Sequence, residues 1–462
     1  MLFSSTIFLF LFLPIVLLVY HLLPRVFRNG WLLVASLFFY AWGEPKFVLL
    51  MLTSILINYL FALAVHTYRT RIGVKWIMFS MIAVNLGLLG WFKYSGFFVT
   101  SLNETFQTSL FVPEVVLPIG ISFFTFQAMS YVIDVYRQAG KVQKNPLDLA
   151  LYIALFPQLI AGPIVRYETV ADEINHRQET LPEFAQGVRR FIIGLSKKLI
   201  LANGCGQVAD TIFNMKDLSM GLAWIGIIAY ALQIYFDFSG YSDMAIGLGL
   251  MFGFHFLENF NYPYISKSVS EFWRRWHISL GSWFRDYVYI PLGGNRVSPW
   301  KQYRNLGIVW MLTGLWHGAS WTFVAWGVYY GIWIMLEKAF LGKLLARVPV
   351  FATVWTLVLV LVGWVFFRAE TFPEAITYIQ AMFVPDVLWD DRASYQLVQN
   401  GVILTLACFA ATPIPKRIGE RFVESAGKVG QTVQYGYAMV LLFLATSALV
   451  ASTFNPFIYF RF

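Results

Sequence analysis

The chain has 462 residues, of which 58% are hydrophobic and only 13% are charged. A soluble domain has roughly 25% charged residues, so the composition excludes an ordinary soluble enzyme and is typical of a polytopic membrane protein. The net charge of +9 is explained by Lys and Arg in cytoplasmic loops rather than by nucleic-acid binding, and Cys205 and Cys408 indicate neither a disulfide framework nor a metal site.

Apolar segments near the ~20 residues that cross a bilayer predict an all-α bundle of about ten to twelve transmembrane helices. The N-terminal run MLFSSTIFLFLFLPIVLLVYHLLP lacks the basic start and cleavage site of a signal peptide, so it is predicted to be the first of them. Several segments are short enough to be re-entrant. The approximate predicted segments are 6–23, 31–42, 47–65, 76–98, 115–135, 148–165, 221–236, 241–256, 305–317, 319–337, 349–367, 399–413 and 434–451.

The distribution of Lys and Arg predicts the orientation in the membrane. Connections 99–114 and 369–398 are poor in basic residues, and we expect them outside. Both termini are then predicted outside, and the basic connections in the cytoplasm. Those basic connections lie around 25–28, 69–75, 137–144, 338–347 and 416–421.

Residues 257–304 form a basic, aromatic insertion within what we interpret as one membrane domain, 1–462. The segment is too polar to span a bilayer and too aromatic for an ordinary solvated loop. We expect short helices at the cytoplasmic membrane face. Such a surface attracts anionic lipid or the phosphates of a bound molecule, and the sequence leaves both possibilities open.

The run YFDFSGYSDMAIG places Asp237 and Asp243 between two predicted spans. The favoured interpretation is a break in the helix, with one aspartate capping exposed N–H groups. The alternative is that these carboxylates orient a catalytic group or pair with an arginine.

The run LTGLWHGASW places His317, preceded by Trp316, in apolar surroundings. In a helix that starts at Arg304, His317 lies ~18 Å from the inner face at ~1.5 Å per residue, past the middle of a ~30 Å hydrocarbon core. Ionisable groups at that depth face the protein interior or a cavity. The predicted turn beside His317 favours a cavity over a simple interhelical hydrogen bond. By contrast, His277 in RRWHISL is expected at the surface of the insertion.

The segments YFDFSGYSDMAIGLGLMFGF, EFWRRWHISLGSWFRDYVYIPLGGNR and GLWHGASWTFVAWG resemble the membrane-bound O-acyltransferase (MBOAT) superfamily. The likeness is to the bacterial AlgI-like branch, the membrane component of alginate O-acetylation, and covers nearly the whole chain. It implies a helical bundle around a central tunnel that an acyl thioester enters from the cytoplasm. It also implies that His317 is the invariant tunnel histidine and that His277 is the second family position, a His or an Asn.

The resemblance implies acetyl-CoA as the acyl donor, no metal, a separate extracytoplasmic SGNH-hydrolase-like partner and a polysaccharide acceptor, in the plasma (inner) membrane of a bacterium. An imidazole with a pKa near neutrality suits proton abstraction, so His317 is interpreted as the general base; a covalent acyl-histidine is a less favoured variant. His277 is expected to bind or orient the donor. Arg274, Arg275 and Arg285 are candidates for the donor phosphates, and the expected supporting residues are Asp237, Asp243 and Trp316.

Three alternatives remain at this point. Another branch of the family transfers D-alanine from a carrier protein to teichoic acid, and peptidoglycan is another possible acceptor of acetyl groups. A transporter or lipid flippase would use His317 as a proton relay, but it leaves the basic, aromatic insertion unexplained.

Overall fold

The computed structural model describes residues 1–160, 162–384, 386–451 and 458, and within these residues all regular structure is helical, without a β-strand. The composition accounts for this, because only a helix satisfies every backbone N–H and C=O group within one lipid-embedded segment. The predicted all-α fold of a polytopic membrane protein is confirmed.

Backbone contacts divide the chain into two compact units. The first unit consists of Met1–Phe191 and Met244–Leu257. In it α3 packs against α4 and α6, and α2 packs against α7. Its helices are two π-helical turns, Phe8–Phe12 and Gly90–Tyr94, and α1 (Leu13–Leu22), α2 (Arg25–Gly43), α3 (Val48–Thr67), α4 (Val74–Leu89), α5 (Ser95–Phe106), α6 (Ile121–Arg137), α7 (Pro146–Ala154), α8 (Phe156–Leu159), α9 (Tyr167–His176) and α10 (Leu181–Ser196), whose last residues belong to the second unit.

The second unit consists of Ile192–Asp243 and Glu258–Phe462. In it α15 packs against α16, and α16 against α18. Its helices are α11 (Asn203–Phe213), α12 (Met220–Met251, shared with the first unit), α13 (Val269–Arg275), α14 (Ile278–Phe284), α15 (Pro299–His317), α16 (Trp321–Leu336), α17 (Gly342–Leu345), α18 (Pro349–Arg368), α19 (Phe372–Phe383), α20 (Asp391–Ala410), α21 (Ile414–Ala451), the π-helical segments Lys197–Ala202, Arg285–Tyr289 and Glu337–Leu341, and a 3₁₀ turn, Pro263–Ile265.

Fewer helices than predicted are long and apolar enough to cross a membrane by length and composition alone. The described residues contain five such stretches and one shorter apolar helix. Interruptions account for part of the difference: predicted segment 148–165 contains the short helices α7 and α8. The five stretches are Val48–Thr67, Val74–Phe106, Met220–Met251, Pro349–Arg368 and Ile414–Ala451, and the shorter helix is Phe8–Leu22.

The expected helix break around Asp237 and Asp243 is wrong, because α12 is continuous from Met220 to Met251. Neither carboxylate caps a helix end there. Asp237 Oδ1 lies 2.6 Å from Lys198 Nζ, and Asp243 Oδ2 lies 2.6 Å from Lys197 Nζ. A buried carboxylate persists where an opposite charge compensates for lost hydration, so the helix tolerates both aspartates without breaking. The partners are lysines rather than the arginine considered from the sequence.

The insertion 257–304 folds into short helices, as predicted. Ser268 is the N-cap of α13, and its side chain accepts a hydrogen bond from Glu271 N. The buried Glu337 carboxylate accepts further bonds from the N–H groups of Val269 (2.6 Å) and Ser270 (2.9 Å). These acceptors satisfy N–H groups that a short helix leaves without internal partners, and they fix α13 beside the end of α16.

A close contact between glycines sets the spacing of α15 and α16. A Cβ atom on Gly314 would overlap the carbonyl oxygen of Phe323, and one on Gly327 would overlap that of Trp310. Only glycine permits this backbone approach. The contact lies one helical turn before the end of α15, and therefore it positions that end against α16.

Candidate active site

His317 is the last residue of α15, and its side chain is buried, with 5% exposure. The next residue, Gly318, is extended, and α16 begins at Trp321 with Ser320 as its N-cap. The imidazole packs edge-on against three aromatic rings, those of Trp316, Trp326 and Phe367, at centroid distances of 4.9, 4.8 and 5.3 Å. The turn expected beside this histidine is therefore present.

His277 is also buried, with 2% exposure, so the surface position expected from its local sequence is wrong. It has a left-handed backbone (φ 46°, ψ 54°) and is the N-cap of α14. Phe238 covers the ring edge-on at 4.7 Å. Because burial disfavours the charged form, the pKa of His277 is lowered to about 3. The imidazole is therefore neutral at physiological pH.

Asn259 connects His277 to the start of α14. Its Oδ1 accepts hydrogen bonds from Ser279 N (3.1 Å) and Ser279 Oγ (2.9 Å) and lies 3.2 Å from Nδ1 of His277. Its backbone oxygen accepts a bond from Ile278 N. Asn259 is fully buried. The side chain of His277 does not cap the first turn of α14, and Asn259 supplies the acceptor for this turn instead.

Trp316 lies between the two histidines. Its ring centroid is 6.0 Å from that of His277 and 4.9 Å from that of His317. The indole is itself buried. The expected supporting residue therefore links two histidines that are 40 positions apart in the chain.

One cavity of about 1190 Å³ is lined by both histidines. This is slightly larger than the ~300–1,000 Å³ common for ligand pockets. Trp273, Trp310 and Leu280 contribute apolar surface. The lining also includes four cationic side chains and one carboxylate, namely Lys267, Arg274, Arg285, Lys338 and Glu337. The cavity thus joins two imidazoles to a concentration of positive charge.

The three arginines expected at a donor site are not equivalent. Arg274 and Arg285 line the cavity, whereas Arg275 does not. Arg275 forms an ion pair with Glu271 (2.8 Å) and donates to the carbonyl oxygen of Asn261. Arg285 is 62% exposed and pairs with Asp286. Asp237 and Asp243 also lie outside the lining and pair with lysines as described above.

Four residues of this region were not identified from the sequence: Asn259, Lys267, Glu337 and Lys338. Lys338 served only as a marker of membrane orientation, although it lines the cavity and donates to Asn295 Oδ1 at 3.0 Å. The adjacent charges Glu337 and Lys338 at the end of an apolar helix could have indicated these two residues. Charged side chains next to a membrane-embedded segment are costly without a partner, and they therefore often mark a site.

The arrangement provides a neutral imidazole, a second buried imidazole and cations around one cavity. An imidazole can accept a proton from an attacking hydroxyl, and cations can bind the phosphates of a donor. Within the described part of the chain, no group of three His, Cys, Asp or Glu side chains is placed to bind a metal ion.

Comparison with known proteins gives a consistent result. The family model described as "MBOAT, membrane-bound O-acyltransferase family" matches residues 61–369. A probable alginate O-acetylase AlgI from Azotobacter vinelandii is 43% identical over the full length of both chains, and one from Pseudomonas aeruginosa is 48% identical over 83% of this chain and 75% of its own. A peptidoglycan O-acetyltransferase from Helicobacter pylori is 38% identical over 83% of this chain and 80% of its own. The family match covers the elements that carry both histidines, and the chain therefore belongs to the membrane-bound O-acyltransferase family as a multi-pass O-acyltransferase of the AlgI-like branch.

Proposed function

We propose that the protein transfers an acetyl group from cytoplasmic acetyl-CoA, across the bacterial inner membrane, for O-acetylation of an extracytoplasmic polysaccharide. The observation that carries the proposal is the shared cavity, in which His277 and His317 lie together with Arg274, Arg285, Lys267 and Lys338. The printed names of the relatives, alginate O-acetylases above all, support the acetyl group and the polysaccharide.

The proposed reaction is a simple acyl transfer with His317 as the general base. The oxygen of an acceptor hydroxyl attacks the carbonyl carbon of the thioester, and the imidazole of His317 takes the hydroxyl proton. The C–S bond then breaks, and the CoA sulfur leaves with a proton returned from the imidazole. Proton transfer by a positioned imidazole contributes typically ~10²–10⁴-fold to the rate.

The cavity fits a CoA thioester in charge and in lining. Lys267, Arg274, Arg285 and Lys338 can pair with the phosphates of the nucleotide end. The aromatic side chains Trp273 and Trp310 offer apolar surface to the pantetheine arm. The basic insertion is predicted to face the cytoplasm by the distribution of Lys and Arg, which is the side where acetyl-CoA is made.

The remaining steps of the proposal concern the other side of the membrane. A separate SGNH-hydrolase-like protein receives the acetyl group or acts with this chain on the glycan. The membrane lipid around the cytoplasmic face contacts the basic residues of the insertion that do not line the cavity, such as Arg275.

Peptidoglycan is the second candidate acceptor, and the Helicobacter pylori relative specifically favours it. D-alanyl transfer from a carrier protein to teichoic acid uses a different donor, whose phosphopantetheine lacks the nucleotide end. Proton-coupled transport with His317 as a relay needs no donor at all. The donor and the acceptor therefore discriminate among these alternatives.

The test uses the full chain in nanodiscs with radiolabelled acetyl-CoA, a separately encoded SGNH-like protein and candidate glycans. His317→Ala is expected to reduce labelling of the partner or glycan by ~10²–10⁴-fold. His66→Ala is the matched control, since His66 is an exposed histidine on α3 of the other unit.

Equal labelling by wild type and His317→Ala would refute the base assignment. Labelling only from an aminoacylated carrier protein would favour D-alanyl transfer instead. Proton-coupled uptake into proteoliposomes without a donor would favour the transporter.

A further inference from the structure

The hydrogen bonds around Asn259 determine which nitrogen of His277 carries the proton. Asn259 Oδ1 lies 3.1 Å from the backbone N–H of Ser279, a group that can only donate. The side-chain oxygen, and not the amide nitrogen, must therefore face this position. His277 Nδ1 lies 3.2 Å from the same oxygen. Since an acceptor faces Nδ1, this nitrogen carries the hydrogen of the neutral ring.

We propose that Asn259 is a positioning residue that fixes His277 as the tautomer with its proton on Nδ1, which leaves Nε2 as the basic nitrogen of this ring. Asn259 does not line the cavity, whereas His277 does. The Nδ1 edge of the ring is held against the start of α14, because Asn259 Oδ1 also accepts from Ser279 N there.

The backbone around Asn259 makes this orientation rigid. Ile278 N donates to the carbonyl oxygen of Asn259 (3.0 Å), and Asn261 N donates to that of Arg275 (2.9 Å). These two bonds hold segment 259–261 beside the turn that contains His277. The rings of Phe238 and Phe260 lie 4.7 and 6.5 Å from the imidazole. Rotation of the ring would break the bond to Asn259 in a packed environment.

The tautomer determines which substrate groups His277 can bind. A neutral ring with its proton on Nδ1 accepts a hydrogen bond at Nε2 and cannot donate one there. In the proposed reaction, His277 in this tautomer cannot donate a hydrogen bond from Nε2 to the thioester carbonyl oxygen. Only this consequence rests on the proposed function, because the tautomer itself follows from the hydrogen bonds.

The tautomer can be measured without any substrate. The full chain is labelled with ¹⁵N-histidine, and the His277 signals are assigned by difference from His277→Gln. We expect wild type to show a protonated Nδ1 and an unprotonated Nε2. Asn259→Ala removes the oxygen 3.2 Å from Nδ1 and releases the Ser279 hydroxyl, 3.5 Å from the same nitrogen, to donate to it, so a mixture of tautomers is expected. Asn261→Ala, which changes an exposed asparagine two positions away, is expected to leave the signals unchanged.

The aspartate variants separate positioning from folding. Asn259→Asp keeps an acceptor at the same place, so we expect the tautomer to be retained, and its carboxylate should raise the pKa of His277 by stabilising the imidazolium. Asn261→Asp adds the same charge away from the ring and is the matched control. In acetyl transfer, Asn259→Ala should lower kcat on the order of 10–100-fold, by analogy with the loss of an outer-shell partner of a metal-bound histidine. A smaller effect is expected for Asn259→Asp at high pH.

A proton on Nε2 in the wild type would overturn the inference, and so would unchanged His277 signals in a folded Asn259→Ala. If Asn259→Ala does not fold, Asn259→Asp provides the test, because it should retain the tautomer and raise the pKa of His277. The proposal would be contradicted if the pKa of His277 were the same in Asn259→Asp and in Asn261→Asp. The inference and the proposed function can also fail separately. If His277 shows the expected tautomer but the protein transfers no acetyl group from any donor, the inference is supported and the proposed function is refuted.

Discussion

Arg274 and Arg275 are consecutive residues of α13 that the structure assigns to different surroundings. Arg274 lines the cavity, and Arg275 pairs with Glu271 outside it. We predict that Arg274→Ala raises the KM for acetyl-CoA about tenfold with little change in kcat, because a charged hydrogen bond contributes ~1.5–3 kcal/mol and partial exposure reduces that value. Steady-state kinetics at low and high salt measure the effect.

Arg275→Ala is the matched control for this prediction. Arg275 and Glu271 form a partly exposed ion pair outside the cavity. Surface ion pairs contribute about 0–1 kcal/mol to stability, so the KM should stay within about twofold of wild type. A larger rise in KM for Arg275→Ala than for Arg274→Ala would contradict the assignment of Arg274 to the donor phosphates.

Sequence reasoning at the scale of single residues placed His317 correctly in the interior but placed His277 at the surface. The reason is physical: residues 274–277 look polar locally, and burial of His277 depends on Phe238, Trp316 and Asn259, which come from three other segments. The sequence did not distinguish Arg274 from Arg275 for the same reason. Which of the two lines the cavity depends on the position of the cavity in the folded chain, and a local pattern does not contain that information.

At the scale of helices, the spacing of α15 and α16 is predicted to control the position of His317. Gly314→Ala should push α16 away from α15, since its Cβ would overlap the Phe323 carbonyl. Overpacking of this kind costs typically ~1–3 kcal/mol. We expect a lower unfolding temperature in detergent and a loss of acetyl transfer, because His317 at the end of α15 packs against Trp326 of α16.

Gly307→Ala on the same helix is the control. A Cβ at Gly307 meets nothing within 4 Å, and alanine favours a helix over glycine by about 1 kcal/mol. Its unfolding temperature should equal or exceed that of wild type. Equal behaviour of the two variants would show that the glycine contact does not set the helix spacing.

The course of the helices was predictable where the hydrophobic sequence was continuous. It was predicted wrongly where a charged side chain within a helix is paired with an opposite charge from a distant segment. The aspartates of α12 indicated a break, but Lys197 and Lys198, about forty residues earlier, compensate for their charge. Three π-helical segments of the second unit carry Lys198, Arg285 and Glu337. Such segments add one residue to a turn, and a periodicity of 3.6 residues does not predict them.

At the scale of the whole molecule, the membrane orientation remains a prediction from the distribution of basic residues. Residue 298 lies in the insertion that we expect in the cytoplasm, and residue 108 lies in a connection that we expect outside. With Cys205 and Cys408 replaced by alanine, a membrane-impermeant maleimide should label Thr108→Cys in intact cells. It should label Ser298→Cys only in inside-out vesicles.

Both positions are exposed in the structure, so the difference in labelling reports the side of the membrane and not burial. Labelling of Ser298→Cys in intact cells would reverse the predicted orientation and place the cationic cavity on the side that lacks acetyl-CoA.

The fold class and the O-acyltransferase family were predictable from composition and from three long motifs. Two properties of the whole chain were not. The division into two compact units depends on contacts between distant parts, since residues 244–257 join the first unit. The cavity shared by the histidines likewise depends on side chains from 267 to 349, and a linear pattern does not specify such a cavity.

The left-handed backbone of His277 also limits how this position can evolve. Residues other than glycine rarely adopt φ > 0, and asparagine, aspartate and histidine do so several-fold more often than the rest, whereas β-branched residues are genuine outliers there. The resemblance described above allows a His or an Asn at this family position, and both belong to this small group. The restriction therefore follows from main-chain geometry as well as from chemistry: a lineage that loses the imidazole can keep the turn most easily by accepting asparagine.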